Sequence, residues 1–184
     1  MGISILFIVV ELVLIVLALL AIARTGYLRL SSSIGIARDG FPPGKSAPSW
    51  SLPDLDGHLR VVPARDHWQL LIFANQSLEA FPELIDGMHY LSRHEQDLEV
   101  LVISRDSRED CRNLVQEQRL QVPIVPVDPA FYDRYRVRVM PFVFFLDPDG
   151  IVRWVGLVGA EEPLIHAWRM AQVPLRSGEA SEVK

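Results

Sequence analysis

Residues 137–147 read VRVMPFVFFLD and run straight into Pro148-Asp149-Gly150. Phe142–Leu146 (FVFFL) is a short, wholly apolar run of the kind that fills a strand covered on both faces. Asp147-Pro148-Asp149-Gly150 is a strong hairpin turn, because Pro presets φ, Asp bonds its own turn and Gly accepts a positive φ. Ile151–Val158 is then the returning strand, and Glu161–Ala171 has the spacing of an amphipathic helix. Strand, turn, strand and helix therefore close the domain, and Pro141 stands directly before the first of these strands.

Upstream, strands alternate with helices. Gln69–Ala74 (QLLIFA) and Leu98–Ser104 (LEVLVIS) are two more buried-strand runs. Leu78–His94 has helical spacing, with Leu78, Phe81, Leu84, Ile85, Met88 and Leu91 on one face, and Pro82 kinks it or marks its first turn. Asp106–Arg119 is a further helix with Asp106 or Ser107 as its N-cap, and Pro129–Tyr135 a short one after Asp128. This alternation followed by a hairpin and a helix specifies an α/β domain with a mixed sheet.

The chain has 184 residues, 22% of them charged and 49% hydrophobic, with a net charge of −5. Such an apolar fraction excludes a disordered chain. The acidic balance excludes nucleic acid as a main partner, since that needs clustered Lys and Arg. One cysteine, Cys111, cannot form an internal disulfide, and no Cys/His zinc spacing exists. Neither a metal nor a cofactor is expected.

Ile3–Ala23 is the run long enough to cross a bilayer: 16 of its 21 residues are Leu, Ile, Val or Phe, and Glu11 alone is charged. As a helix it is roughly 31 Å long. Its apolar residues contribute about −5 to −10 kcal/mol on insertion scales against about 3 for one central acid, so insertion wins. No basic stretch precedes the run and it is too long for a signal peptide, so a retained anchor is expected despite Ala21-Ile22-Ala23. Glu11 either binds a polar group on a partner helix or sits protonated in a tolerant single span. The expected organisation is an anchor over 1–24, a Ser/Gly/Pro-rich linker over 25–45, a domain over 46–175 and a tail over 176–184. Within the linker, Phe41-Pro42-Pro43-Gly44 is expected to be extended and stiff.

The element order resembles the thioredoxin fold, and two motifs resemble its membrane-anchored, TlpA-like redoxin branch. Ala47–Gly57 (APSWSLPDLDG) looks like that branch's opening hairpin. Val137–Asp147 looks like its V-x-x-x-P-x-x-F-x-x-D segment, with Pro141 on the family's cis-proline. The N-terminal run and Arg-bearing linker are also similar to the methylamine-utilisation accessory (MauD) type. The resemblance implies a dithiol Cys-x-x-Cys after the first central strand, where helix N–H groups stabilise a thiolate. Here the corresponding residues are Asn75-Gln76-Ser77-Leu78-Glu79-Ala80, with Ser77 and Ala80 on the cysteine positions. Serine cannot exchange a disulfide and alanine cannot resolve one, so no catalytic residue is assigned there.

Cys111, on the second helix, has acids and arginines on either side and reads as an idle or partly buried thiol. Arg134, Arg136 and Arg138 alternate as on a solvated strand edge, or as a site for an anion or acidic partner. In thioredoxin folds the residue before the cis-proline offers its backbone to an extended peptide; here it is Met140, whose adaptable side chain suits a permissive surface. The reading is a membrane-tethered, redox-inactive thioredoxin-like domain that binds a protein partner through Met140, Pro141, Asn75, Gln76 and Ser77, with Glu11 as a contact in the span. It would serve as a subunit or assembly factor of a membrane or periplasmic complex. The rival is a thiol–disulfide oxidoreductase or peroxidase accessory acting through Cys111 or partner cysteines. A chaperone for a small molecule or cofactor, using the cleft beside Pro141, is a third class. Arg24 and Arg29 after the span place the domain in the cytoplasm by the positive-inside rule. The resemblance implies the extracytoplasmic side, which is the expectation adopted.

Overall fold

The computed structural model describes residues 39–174. The anchor segment with Glu11, most of the linker and the tail lie outside the described residues. Among those described, no helix is long and apolar enough to cross a membrane.

The domain opens with a hairpin of β1 (Trp50–Pro53) and β2 (Leu59–Val62). Then come β3 (Trp68–Phe73), a short 3-10 turn at Gln76–Ala80, and α1 (Pro82–His94). β4 (Leu98–Ser104), α2 (Arg108–Gln118), β5 (Ile124–Pro126) and α3 (Pro129–Tyr135) follow. β6 (Phe142–Leu146), β7 (Val152–Leu157) and α4 (Glu161–Ala171) complete it. The main sheet has the order β5-β4-β3-β6-β7, with β3 parallel to β4 and antiparallel to β6. This is the thioredoxin-like α/β arrangement expected.

Residues alternate across the sheet as the strand period of two requires. Leu70, Ile72, Val100, Val102, Val143 and Phe145 face a core shared with α1, α2 and α4. On the other side Phe73 and Phe144 meet Phe131, Tyr132 and Tyr135 of α3 in a cluster of aromatic contacts with centroids 5.0 to 6.3 Å apart. Burial on both faces explains why β3, β4 and β6 read as unbroken apolar runs. Gly87 lets α1 approach α4 closely, since a Cβ there would lie 2.9 Å from the Glu161 Cα.

Two local expectations are corrected, and one unassigned strand appears. The helix expected from Leu78 is split, because Pro82 takes the first position of α1 and leaves Gln76–Ala80 as a separate turn. β5, in a stretch to which the sequence patterns assign no element and which has Pro123 before it and Pro126 in it, pairs with β4 over Val102–Ser104. Phe41–Gly44 is not extended. Lys45 N–H donates to Pro42 O at 3.2 Å, and Pro43 followed by Gly44 at φ +88 forms a tight turn that only Gly accommodates easily.

The chain is bonded to the domain from Gly40 onward. Gly40 N–H donates to Arg136 O (3.0 Å) and Gly44 N–H to Val152 O (2.8 Å), while Phe41 meets Tyr135 edge-on at 6.2 Å. The opening hairpin is held at two points. Trp50 Nε1 donates to the Tyr135 hydroxyl (2.9 Å), which donates to Pro48 O (2.8 Å). At the opposite end, fully buried Gln69 donates to Val61 O and Glu99, and Arg60 bridges Glu99 and Asp54.

Candidate functional site

β3 and β6 run antiparallel with Phe73 opposite Phe142, so the residues after Phe73 and those before Phe142 emerge at one edge of the sheet. Asn75, Gln76 and Ser77 therefore come together with Met140 and Pro141, 63 or more positions apart in the chain. The Met140–Pro141 peptide is cis. Gln76, Ser77, Glu79 and Ala80 are exposed, Asn75 and Met140 half-buried, and Pro141 buried. Val139 beside them is 50% exposed.

The loop is fixed by polar contacts from both sides. The Asn75 side chain accepts from the Ser77 N–H (3.1 Å) and from the Ser77 hydroxyl. Asp106, after β4, accepts the Gln76 N–H at 2.7 Å. The N-cap of α2 is Ser107, which accepts from Asp110 N–H at 3.1 Å, so of the two expected caps Asp106 is free to serve this loop instead. Behind the loop the Tyr132 hydroxyl lies 2.9 Å from Ala74 O and 2.8 Å from Ile103 O, donating between them. Burial pushes the Tyr132 hydroxyl pKa up, so it stays a neutral donor. Phe81 closes the other flank against Gly159, where a Cβ would stand 3.1 Å from its ring.

This geometry places no activated nucleophile at the edge. The Ser77 hydroxyl donates to an amide oxygen rather than to a base. The histidine contacts lie elsewhere: His58 with Asp54, His67 with Asp66 and Glu99, His89 with Gln121, and His94 with Tyr90. Cys111 is 1% exposed, with its Sγ 3.8 Å from Asp106 O. Burial pushes its thiol pKa up, and Asp106 and Asp110 push the same way against Ser104 and Arg108. A buried thiol that resists ionisation is a poor nucleophile.

Two other features resolve structurally. Ligand atoms of Asp54, Asp56 and His58 lie within 4.8 Å of one another. The buried Asp54 carboxylate, however, already accepts from Asp56 N–H (3.0 Å), His58 N–H (2.8 Å) and Arg60 Nε (2.9 Å). Burial pushes its pKa up, but those bonds and the Arg60 charge outweigh burial and leave it below the usual value. A groove of about 330 Å³ lined by Leu55, Arg112, Val115 and Leu120–Ile124 faces the start of β5, away from the Asn75–Pro141 edge. Asp106, Tyr132 and Phe81 are the site residues that sequence reasoning missed. Asp106 and Tyr132 carry no motif there, and Phe81 read only as one more apolar position on a helix face.

A family model described as AhpC/TSA family matches residues 43–155. The fold is similar to that of a thiol-disulfide oxidoreductase from Bacteroides fragilis, at 23% identity and a TM-score of 0.58 over 68% of this chain and 98% of that one. It is also similar to a putative protein disulfide isomerase from Bacteroides thetaiotaomicron, at 15% identity and a TM-score of 0.60 over 72% and 91%. Peroxidoxin BcpB from Mycobacterium tuberculosis superposes at 16% identity and a TM-score of 0.57 over 70% and 95%. No curated protein matches in sequence.

Proposed function

The chain belongs to the AhpC/TSA family of thioredoxin-like redoxins, and on that premise we propose that it is a TlpA-like, MauD-type member that has given up dithiol chemistry and binds a protein partner. The carrying observation is the edge itself. The loop and the cis Pro141 share one edge of the sheet, and the resemblance aligns Ser77 and Ala80 with the positions where sulfur would react. Two neutral, non-exchanging side chains cannot form or pass on a disulfide. What persists is exposed Val139 and half-buried Met140 beside an ordered polar loop, suited to an extended segment of another protein.

In this reading residues 3–23 tether the domain on the extracytoplasmic side, and Glu11 contacts a helix of the same complex. The protein acts as a subunit or assembly factor. The rival, an oxidoreductase working through Cys111, has the burial and raised pKa of that thiol against it.

Mass spectrometry of material that co-purifies with the full chain in mild detergent tests the proposal. A stoichiometric partner that is lost from a Met140→Ala, Glu11→Gln double variant is expected; retention of the partner removes this surface. In a disulfide-reductase assay, wild type and Cys111→Ser should have equal, negligible rates. A wild-type rate abolished by the substitution would overturn the redox-inactive reading.

A further inference from the structure

Arg134, Arg136 and Arg138 do not lie on a strand edge, because α3 runs through Tyr135 and Arg136 caps it in the left-handed region at φ 56. Two of the three guanidinium groups lie over aromatic rings, Arg134 over Phe131 at 5.5 Å and Arg136 over Phe41 at 5.1 Å. Phe131 stacks on Tyr135 (5.3 Å) and Tyr135 meets Phe41 (6.2 Å), so the rings form one continuous support for these cations. Arg138, 77% exposed, is 3.7 Å from the Asp39 carboxylate, a contact weak enough to exchange for another anion. Stacking on rings restricts the guanidinium groups before any ligand arrives.

The position of this face in the chain says what it meets. Gly40 bonds Arg136, and Asp39 and Phe41 touch Arg138 and Arg136, so the arginines surround the point where the N-terminal segment enters the domain. Residues 24–45 and 128–138 together carry 7 basic and 3 acidic side chains, against 11 and 20 in the remainder. Along the sequence, cations are concentrated in the stretch that follows Ile3–Ala23 and in the stretch that bears these arginines, in a chain that is otherwise strongly acidic.

We propose that this arginine face docks on the anionic phospholipid head groups of the bilayer that residues 3–23 enter; the inference rests on the tethered reading above. The tether alone does not hold the domain down, since residues 24–38 fully extended reach roughly 50 Å. Exposed charges act over only about 8 Å at physiological ionic strength, so the face must come into contact to matter. Each arginine near an anionic surface shifts the docked-to-free ratio about fivefold, and three shift it on the order of 100-fold. Guanidinium suits the ligand, because its fork matches phosphate oxygens in pairs. Docking would hold Met140, two residues beyond Arg138, close to the membrane surface, where a membrane-bound partner presents its own segment.

The test uses the full chain in lipid nanodiscs, with a fluorophore on Ala130→Cys. Ala130 is exposed and one helical turn from Arg134, and the native Cys111 is too buried to compete for label. Quenching by spin-labelled lipid should be strong in phosphatidylglycerol-containing discs, near baseline in phosphatidylcholine discs, and abolished by high salt. Arg134→Gln, Arg136→Gln, Arg138→Gln together should lower the docked-to-free ratio on the order of 100-fold. The corresponding triple Lys variant should retain most of it, which separates charge from a folding defect. Equal quenching in both lipids, or no response to salt, overturns the proposal. So does loss of an acidic co-purifying protein from the Gln variant without any lipid-dependent quenching, an outcome that leaves the tethered reading intact. A chain that never enters the discs overturns the tether and this inference with it.

Discussion

Removal of the Tyr132 hydroxyl isolates one bond behind the candidate site. Tyr132→Phe keeps the ring, its edge-on contact with Phe73 at 5.1 Å and its position under Arg105 at 5.3 Å, and deletes only the donor shared by Ala74 O and Ile103 O. Ile103 O keeps the Ala74 N–H at 3.1 Å, so the loss falls mainly on one buried carbonyl. A lost net hydrogen bond costs about 1 kcal/mol and an orphaned buried acceptor up to about 3, which puts this variant at about 1–2 kcal/mol. For a domain of this size that lowers the melting temperature by about 4–7 °C. Urea unfolding of the full chain in mild detergent, followed by tryptophan fluorescence, should give a lower midpoint with an unchanged slope. Tyr132→Leu should cost at least a further 0.5–1.5 kcal/mol or so through the lost aromatic contacts. A Phe variant with the wild-type midpoint would refute the argument that this hydroxyl ties β3, β4 and α3 together at the site. Equal losses in Phe and Leu would refute the part assigned to the ring.

Gly87→Ala should destabilise the domain despite improving helix propensity. The gain is about 1 kcal/mol, while overpacking against the Glu161 backbone costs about 1–3, so thermal melting should shift downward. His89 Nε2 accepts the Gln121 N–H at 3.1 Å, and burial, together with Arg93, lowers its pKa despite Asp86. Because its folded pKa lies below its unfolded one, its contribution is present above pH 6.5 or so and is lost as pH falls through the folded value. His89→Gln should flatten stability against pH in that window, as read by urea midpoints. Asp54, lowered likewise, should add a separate loss below about pH 4. The Cys111 thiol should not react with an aromatic disulfide reagent until denaturant is added; stoichiometric labelling of the native protein would contradict its burial.

Much of this molecule is legible in its sequence. Leu98–Ser104, Pro129–Tyr135, Phe142–Leu146 and Glu161–Ala171 form the elements their patterns specify, because burial on two faces or along one helical stripe leaves a direct imprint on residue order. β5 left no such imprint, since three residues framed by prolines acquire strand geometry only from the partner strand β4. Asp106 was legible as a polar residue at a helix start and no more. Whether it capped α2 or bound the Gln76 N–H depended on where β3 delivered that loop. The arginines at 134, 136 and 138 were visible as a pattern, but their spacing suggested a strand where a helix end and its cap stand.

The sequence by itself determined the fold class, through apolar runs and turn residues whose preferences act locally. It also determined that the chain can form no internal dithiol pair, because Cys111 is its single cysteine wherever the chain goes. Only the tertiary structure decided what stands in its place. It joined Asn75–Ser77 to Met140 and Pro141, put Tyr132 and Asp106 behind the loop, sealed Cys111 in the core and gathered the arginines where the chain enters the domain. Each of these is a contact between residues far apart in the chain, fixed by strand register and helix packing, and neither leaves a local mark on composition or spacing.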